Sequence, residues 1–288
     1  VNPLETSKRQ LPPTNLSDLK IEDDADISGQ WSAPFDWNVQ SLNAILLPDE
    51  TVLTYGSFGI INKEKSDLKS NKKITLSDGR KIERDKGNYQ YAGHDVNSGV
   101  DFDIWDIKKG VGDEAHKLYN KPVMLDAFCT VTRVLDDENV LIVGGSKNNN
   151  TEFPDTQKAT VIYNVKEGTF KRSKDLNYKR WYGSVVRTAD EKLIMLGGVD
   201  VNDAVPSIVP EIIDLNNISE GWTTLEKAKS AYLFGDESYD EWNYPRSYLS
   251  SDGNIVGISY NKIWVMEKEK DYRISQTSEI PLAEGGIA

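Results

Sequence analysis

The chain holds one thiol, Cys129, and two imidazoles, His94 and His116, so its means for nucleophilic, redox or metal chemistry are few. A single cysteine excludes an internal disulfide framework. Taken alone, a lone thiol before an apolar strand reads as a packed small hydrophobe. Tyr182, in Arg180-Trp181-Tyr182, reads alone as a core aromatic. What sets the two apart is placement, because each stands just ahead of an apolar hairpin at equivalent points of successive repeats. No glycine-rich phosphate loop, nucleophile elbow or His-Glu-x-x-His motif is present. Carboxylates are plentiful, but nothing singles out an acid–base pair.

The elements that must position Cys129 and Tyr182 recur along the chain. Residues 43–56, 129–145, 184–198 and, more weakly, 248–259 each read as strand, polar turn, strand. Val, Ile and Leu fill the strands, and Asp, Asn or Gly mark the turns, as a hairpin requires. The second and third copies close on Gly144-Gly145 and Gly197-Gly198, where a residue without Cβ lets neighbouring backbones approach. Each is followed by two further strand-like stretches, 159–165 with Phe170, and 209–215 with Trp222, completing a four-stranded unit. Equivalent glycines lie about 53 residues apart between copies two and three, and the interval to the fourth copy is about 60. A period of roughly 50 residues is that of kelch repeats. The first interval, about 88, is longer because residues 62–95 form a lysine-rich insertion. The expected fold is therefore all-β: a kelch-type β-propeller with about four blades here. It occupies residues 29–288 after an N-terminal extension over 1–28. Trp105-Asp106 occurs once, which does not make a WD40 repeat.

Composition narrows the partners. With 46 acidic and 34 basic residues the formal charge is -12, which repels a phosphate backbone and argues against nucleic acid. No apolar run approaches the roughly 18 residues of a membrane helix. Val1-Asn2-Pro3 begins without the basic and apolar stretches of a signal peptide. Glu22 to Asp26 is acidic but lacks EF-hand spacing, so it reads as a solvated loop. Asn15, Asn149 and Asn217 stand in glycosylation-type triplets, a pattern too common to fix a compartment.

Beyond the generic repeat, three segments are more specific: Gly93 to Gly145 with Asp126-Ala-Phe-Cys129, Asn177-Tyr-Lys-Arg-Trp-Tyr182, and Asn243-Tyr-Pro-Arg246. In order and spacing, over roughly residues 29–288, they resemble the galactose oxidase and glyoxal oxidase family of copper-radical enzymes, as its N-terminal portion. The resemblance implies a thioether between Cys129 and the ring of Tyr182, with Tyr182 also a copper ligand. A thioether ortho to a phenol lowers the ring's oxidation potential, so the tyrosine can hold one electron hole. With copper it would support two-electron oxidation of an alcohol, aldehyde or carbohydrate by O₂, giving H₂O₂. It also implies a secreted, extracellular or periplasmic protein, and explains an unpaired cysteine there, since a thioether does not undergo thiol exchange.

The sequence departs from that family in three respects. Its remaining ligands, a late Tyr-His pair and a further histidine, have no counterpart, and neither His94 nor His116 follows a tyrosine. Both histidines read as structural or exposed. The tryptophan that galactose oxidase places soon after the second Gly-Gly is replaced by Val199-Asp200-Val201-Asn202, so its sugar specificity does not carry over. Four blades of a seven-bladed ring would leave edges and apolar faces open. The expectation is thus a C-terminal half or second chain that completes the ring and supplies the imidazoles. Trp264-Val-Met-Glu267, then residues 280–288, read as the outer strands of the fourth blade and the approach to another. The other reading is a non-catalytic kelch platform binding a glycan or protein, with the lysine-rich residues 63–86 as one contact loop.

Overall fold

In the computed structural model the described residues are 22–31, 37, 39, 41–56, 73–75, 81–83, 102–119, 125–146, 155–201, 203–235 and 241–281. The expected insertion, His94, Asn15 and Asn149 lie outside them, apart from one short hairpin, β3 with β4. The architecture is all-β, built from four antiparallel sheets in chain order. The first holds β1 (Asn43–Leu46), β2 (Val52–Tyr55), β5 (Phe102–Trp105) and β6 (His116–Tyr119), with β3 (Lys73–Thr75) and β4 (Lys81–Glu83) paired separately. The second runs β7 (Val131–Val134), β8 (Asn139–Val143), β9 (Thr160–Asn164), β10 (Thr169–Arg172). The third comprises β11 (Trp181–Arg187), β12 (Lys192–Asp200), β14 (Glu211–Asp214) and β15 (Thr223–Thr224), with β13 (Val205–Pro206) on β12. The fourth is β16 (Arg246–Leu249), β17 (Ile255–Ser259), β18 (Lys262–Glu267) and β19 (Arg273–Glu279).

Turn chemistry explains the hairpins. The Asp136 carboxylate accepts from the backbone N–H of Glu138 and Asn139, both at 2.8 Å, closing the β7–β8 turn. Asp49 and Asp252 accept in the same way from Thr51 and Asn254, each at 3.1 Å. Short side-chain acceptors of this kind stabilise a turn against the extended chain. The four expected hairpins all form. Of the two outer stretches expected, Trp264 to Glu267 lies in β18, and the outermost described strand of the fourth sheet is β19, ending at Glu279; residues 282–288 lie outside the described residues.

Alternating apolar residues weld each sheet to the next. Leu53, Tyr55 and Phe102 of the first meet Val140, Ile142 and Val161 of the second. Leu141 and Val143 meet Leu193 and Met195, and Ile194 and Leu196 meet Trp264 and Met266. Burying one such side chain contributes about 1.5–3 kcal/mol. The first strands of the sheets lie side by side, β1 by β7, β7 by β11 and β11 by β16.

The glycine pairs sit where this stacking is tightest. A Cβ on Gly144 would stand 2.4 Å from the Arg180 carbonyl oxygen, and one on Gly197 2.5 Å from that of Trp242. Both glycines also have positive φ, +73° and +59°. Beside them, the N–H of Gly145 donates to Arg180 O at 3.0 Å and that of Gly198 to Trp242 O at 2.8 Å. The second and third sheets are thus each pinned to the segment that enters the next.

Candidate functional site

Those entering segments carry the candidate residues. Cys129, Tyr182 and Tyr244 stand fifteen positions before Gly144, Gly197 and Ser259, at matching points ahead of the second, third and fourth sheets. All three are in the left-handed region, with φ of 59°, 61° and 48°. That conformation costs a residue with a Cβ about 1–2 kcal/mol and persists only where its surroundings impose it. At Tyr182 the surroundings are visible. Arg180, two residues earlier, is fully buried against Glu211, also fully buried. Its guanidinium donates to Glu211 Oε1 at 3.1 and 3.0 Å and to the carbonyls of Gly197 at 2.6 Å and Val209 at 2.5 Å. The same carboxylate accepts from the backbone N–H of Asn177 at 2.6 Å and of Tyr178 at 3.2 Å. One buried ion pair thereby fixes the whole segment leading to Tyr182.

Cys129 and Tyr182 are neighbours: the thiol and the Tyr182 hydroxyl lie near enough to shift each other's ionisation. A second phenol, Tyr244, lies near the same thiol, and the Tyr182 and Tyr244 ring centroids are 5.0 Å apart. Burial pushes the thiol up, and the neighbouring Tyr182 and Tyr244 hydroxyls partly offset it. Burial, with the thiol beside it, pushes the Tyr182 phenol to about 12. Tyr244 is raised further, by burial first and then by the thiol. All three groups therefore hold their protons at neutral pH.

Two aromatic partners of Tyr182 lie outside the segment that follows Gly198. Trp181 stacks on the phenol with centroids 3.8 Å apart and planes 25° apart. Trp242 lies parallel within 18° at 6.4 Å. Successive side chains of a strand point to opposite faces. The left-handed turn at Tyr182 breaks that alternation and lets neighbouring rings stack. Trp181 Nε1 is buried and approaches the Cys129 sulfur without meeting hydrogen-bond geometry. From the first sheet, Tyr55 is fully buried and its hydroxyl bonds Thr130 Oγ1 at 3.0 Å, one residue from the thiol. Tyr244 was legible in principle, since it shares the fifteen-residue spacing. Beside it, between β11 and β16, opens a cleft of about 340 Å³ lined by Ser184, Val185, Arg246 and Tyr248.

The donors gathered here are one thiol and two phenols. Among the described residues no group of three or more His, Cys, Asp or Glu could hold a metal ion. His116 is engaged elsewhere: it lies on β6, its Nδ1 2.6 Å from Asp103 Oδ2, packed edge-on by Trp37 at 4.8 Å. It is a buried structural histidine. On their own, then, the described residues of this chain do not fit a copper centre.

No protein-family model matches the chain, and no curated protein matches it in sequence. Among solved structures, it is similar to a fungal alcohol oxidase of the AA5 family in complex with copper, with a TM-score of 0.54 and 15% identity. The likeness covers 82% of this chain and 41% of the oxidase chain, so the chain spans less than half of that neighbour's length. At this identity the likeness is one of fold. No helix among the described residues is long and apolar enough to cross a membrane.

Proposed function

We propose that this chain is the N-terminal portion of a secreted copper-radical oxidase of the galactose oxidase and glyoxal oxidase kind. It would oxidise a small alcohol, aldehyde or carbohydrate with O₂ and release H₂O₂. Its four sheets are then about four blades of a kelch-type β-propeller. The remaining blades, from the same protein or a second chain, close the ring and bring the imidazoles. One observation carries the reading: the sole cysteine lies beside a phenol from the next sheet.

This chain's part in such an enzyme is the sulfur–phenol pair. Joining them exchanges the S–H of Cys129 and one ring C–H of Tyr182 for a C–S bond. Two protons and two electrons leave, and O₂ accepts them as H₂O₂. The stacked indole of Trp181 then covers one face of the modified ring, and its delocalised π-system shields a ring-centred hole from water. The fold likeness to a copper-bound alcohol oxidase supports the assignment, and the cleft beside Tyr244 suits a small substrate.

The full-length protein, loaded with copper and exposed to air, should lose two hydrogens by intact mass. Its digest should yield a peptide joining Cys129 to Tyr182. A Cys129 that remains fully open to alkylating reagent after that treatment ends the assignment. The second reading, a non-catalytic kelch platform for a glycan or protein, is favoured by the lack of a described imidazole at the pair. Copper titration separates the two, since an optical or EPR signal appears only for the oxidase.

A further inference from the structure

Asn217-Ile218-Ser219 is one of three Asn-x-Ser/Thr triplets in the chain, and the one that falls among the described residues. It lies in a short 3₁₀ segment, Leu215–Glu220, that joins β14 to β15 at the outer end of the third sheet. Side chains three apart align in such a turn, and Leu215 and Ile218 both pack against the core of Leu141, Leu193, Met195 and Trp222. Asn216, Asn217, Ser219 and Glu220 are left exposed. The segment is held at both ends: Asp214 Oδ1 accepts from the Asn216 N–H at 2.9 Å, and the Gly221 N–H donates to the Ile218 carbonyl at 3.1 Å. Between its two turns Asn217 leaves the helical region, with φ -144° and ψ 54°. The Ser219 hydroxyl donates to Asn217 Oδ1 at 3.0 Å, and Nδ2 has no partner among the described residues. Hydroxyl and amide, the two groups that define the triplet, thus stand together on a fixed outer turn.

We propose that Asn217 is an N-glycan acceptor, its Nδ2 taking an oligosaccharide from a lipid diphosphate donor. A bond forms between Nδ2 and the anomeric carbon, and the bond from that carbon to the diphosphate oxygen breaks. The diphosphate leaves with the electron pair, Nδ2 gives up one proton, and nothing is oxidised or reduced. The transferring enzyme requires the triplet, and the fold adds an acceptor that stays on the surface once the chain has folded, anchored there by Ile218. A glycan at this point leaves the sulfur–phenol pair clear. In the sheet order β11-β12-β14-β15 it is attached between the last two strands, whereas Tyr182 lies on the first. β15 has two residues and no further strand on its outer side among the described residues, so its edge is open to another chain. A hydrated glycan beside that edge bars such pairing. The inference takes from the oxidase assignment only export from the cell, since the enzyme and its lipid donor act on exported chains.

Full-length protein, exported from a eukaryotic host behind a leader peptide, tests the site. Peptide-N-glycosidase in heavy-oxygen water converts each glycosylated asparagine to a labelled aspartate, and the peptide containing residue 217 should carry the label. Asn217→Gln should abolish it. So should Ser219→Ala, an exposed substitution that keeps the test open if N217Q fails to fold, while Ser219→Thr should retain it. An unlabelled Asn217 in exported, folded protein overturns the proposal, whatever Asn15 and Asn149 carry. A label that persists in S219A reports spontaneous deamidation and overturns it as well. A glycan at Asn217 on a protein that never binds copper upholds the site and ends the oxidase assignment, so the two fail separately.

Discussion

The Tyr182 phenol is held above its ordinary 10.0, at about 12, because burial and the neighbouring thiol both penalise the phenolate. The folded chain therefore keeps this proton more tightly than the unfolded chain does. Its contribution to stability is whole below pH 10 and disappears as the pH climbs through about 12. Tyr182→Phe should delete one late-ionising phenol from the near-ultraviolet phenolate titration of the metal-free protein. An unchanged titration would mean that Tyr182 is not confined as described. Asp190 is the acid-side counterpart. Burial alone would raise it, but the Thr188 hydroxyl and the Lys192 ammonium bring it down to about 2. Its stabilisation is present above pH 3.8 and fades toward pH 2, so Asp190→Asn should flatten stability over that interval, read by urea midpoints. At this scale the sequence singles out Cys129 and Tyr182 by their repeat positions. It concealed Trp181 as the stacking ring, because that stacking depends on a backbone sign change which no side-chain pattern records.

Hairpins were readable because two local signals agree in each, an apolar run and an Asp-bearing turn such as Asp136. The outermost strands carry neither signal. β19 and β6 border a sheet on one side, bury little, and are rich in polar residues, so they lack alternation. Still less legible was the Arg180–Glu211 pair, whose partners are 31 residues apart and fall in different elements. Its energetics follow from burial: both side chains are fully enclosed, and every donor and acceptor seen is used. Removing one charge leaves the other stranded, which costs about 3–5 kcal/mol. Glu211→Gln should therefore lower the urea midpoint by that equivalent at unchanged m-value, where a typical surface substitution stays within about 0.5 kcal/mol. A loss under about 1 kcal/mol would show that the segment before Tyr182 is held by its hairpin instead. Because the pair sits two residues from Tyr182, the same variant should also loosen the thiol from the phenol and make Cys129 easier to alkylate.

The stack of sheets ends on a face unlike those between them. On β17 and β18, Ile255, Trp264 and Met266 point into the core shared with the third sheet. Their neighbours Val256, Ile258, Ile263 and Val265 point the other way, in cross-strand pairs Val256–Val265 and Ile258–Ile263. All four are half-buried, and Tyr248, opposite Val256, is 64% exposed. An apolar stripe in register across three strands has the pattern of the faces that meet between sheets one and four. If further blades complete a ring, one of them covers it. A lysine at Val256 tests this without any assay of activity. In the 288-residue chain the ammonium reaches water from a half-exposed site, and stability should move by no more than about 0.5 kcal/mol. In the complete protein the same charge would be trapped between blades without a partner, a cost of several kcal/mol. The midpoint of Val256→Lys relative to wild type should consequently fall much further in the complete protein than in the isolated chain. Equal effects in both would mean that nothing packs on the fourth sheet, and the closed ring, with the imidazoles it was to bring, would have to be abandoned.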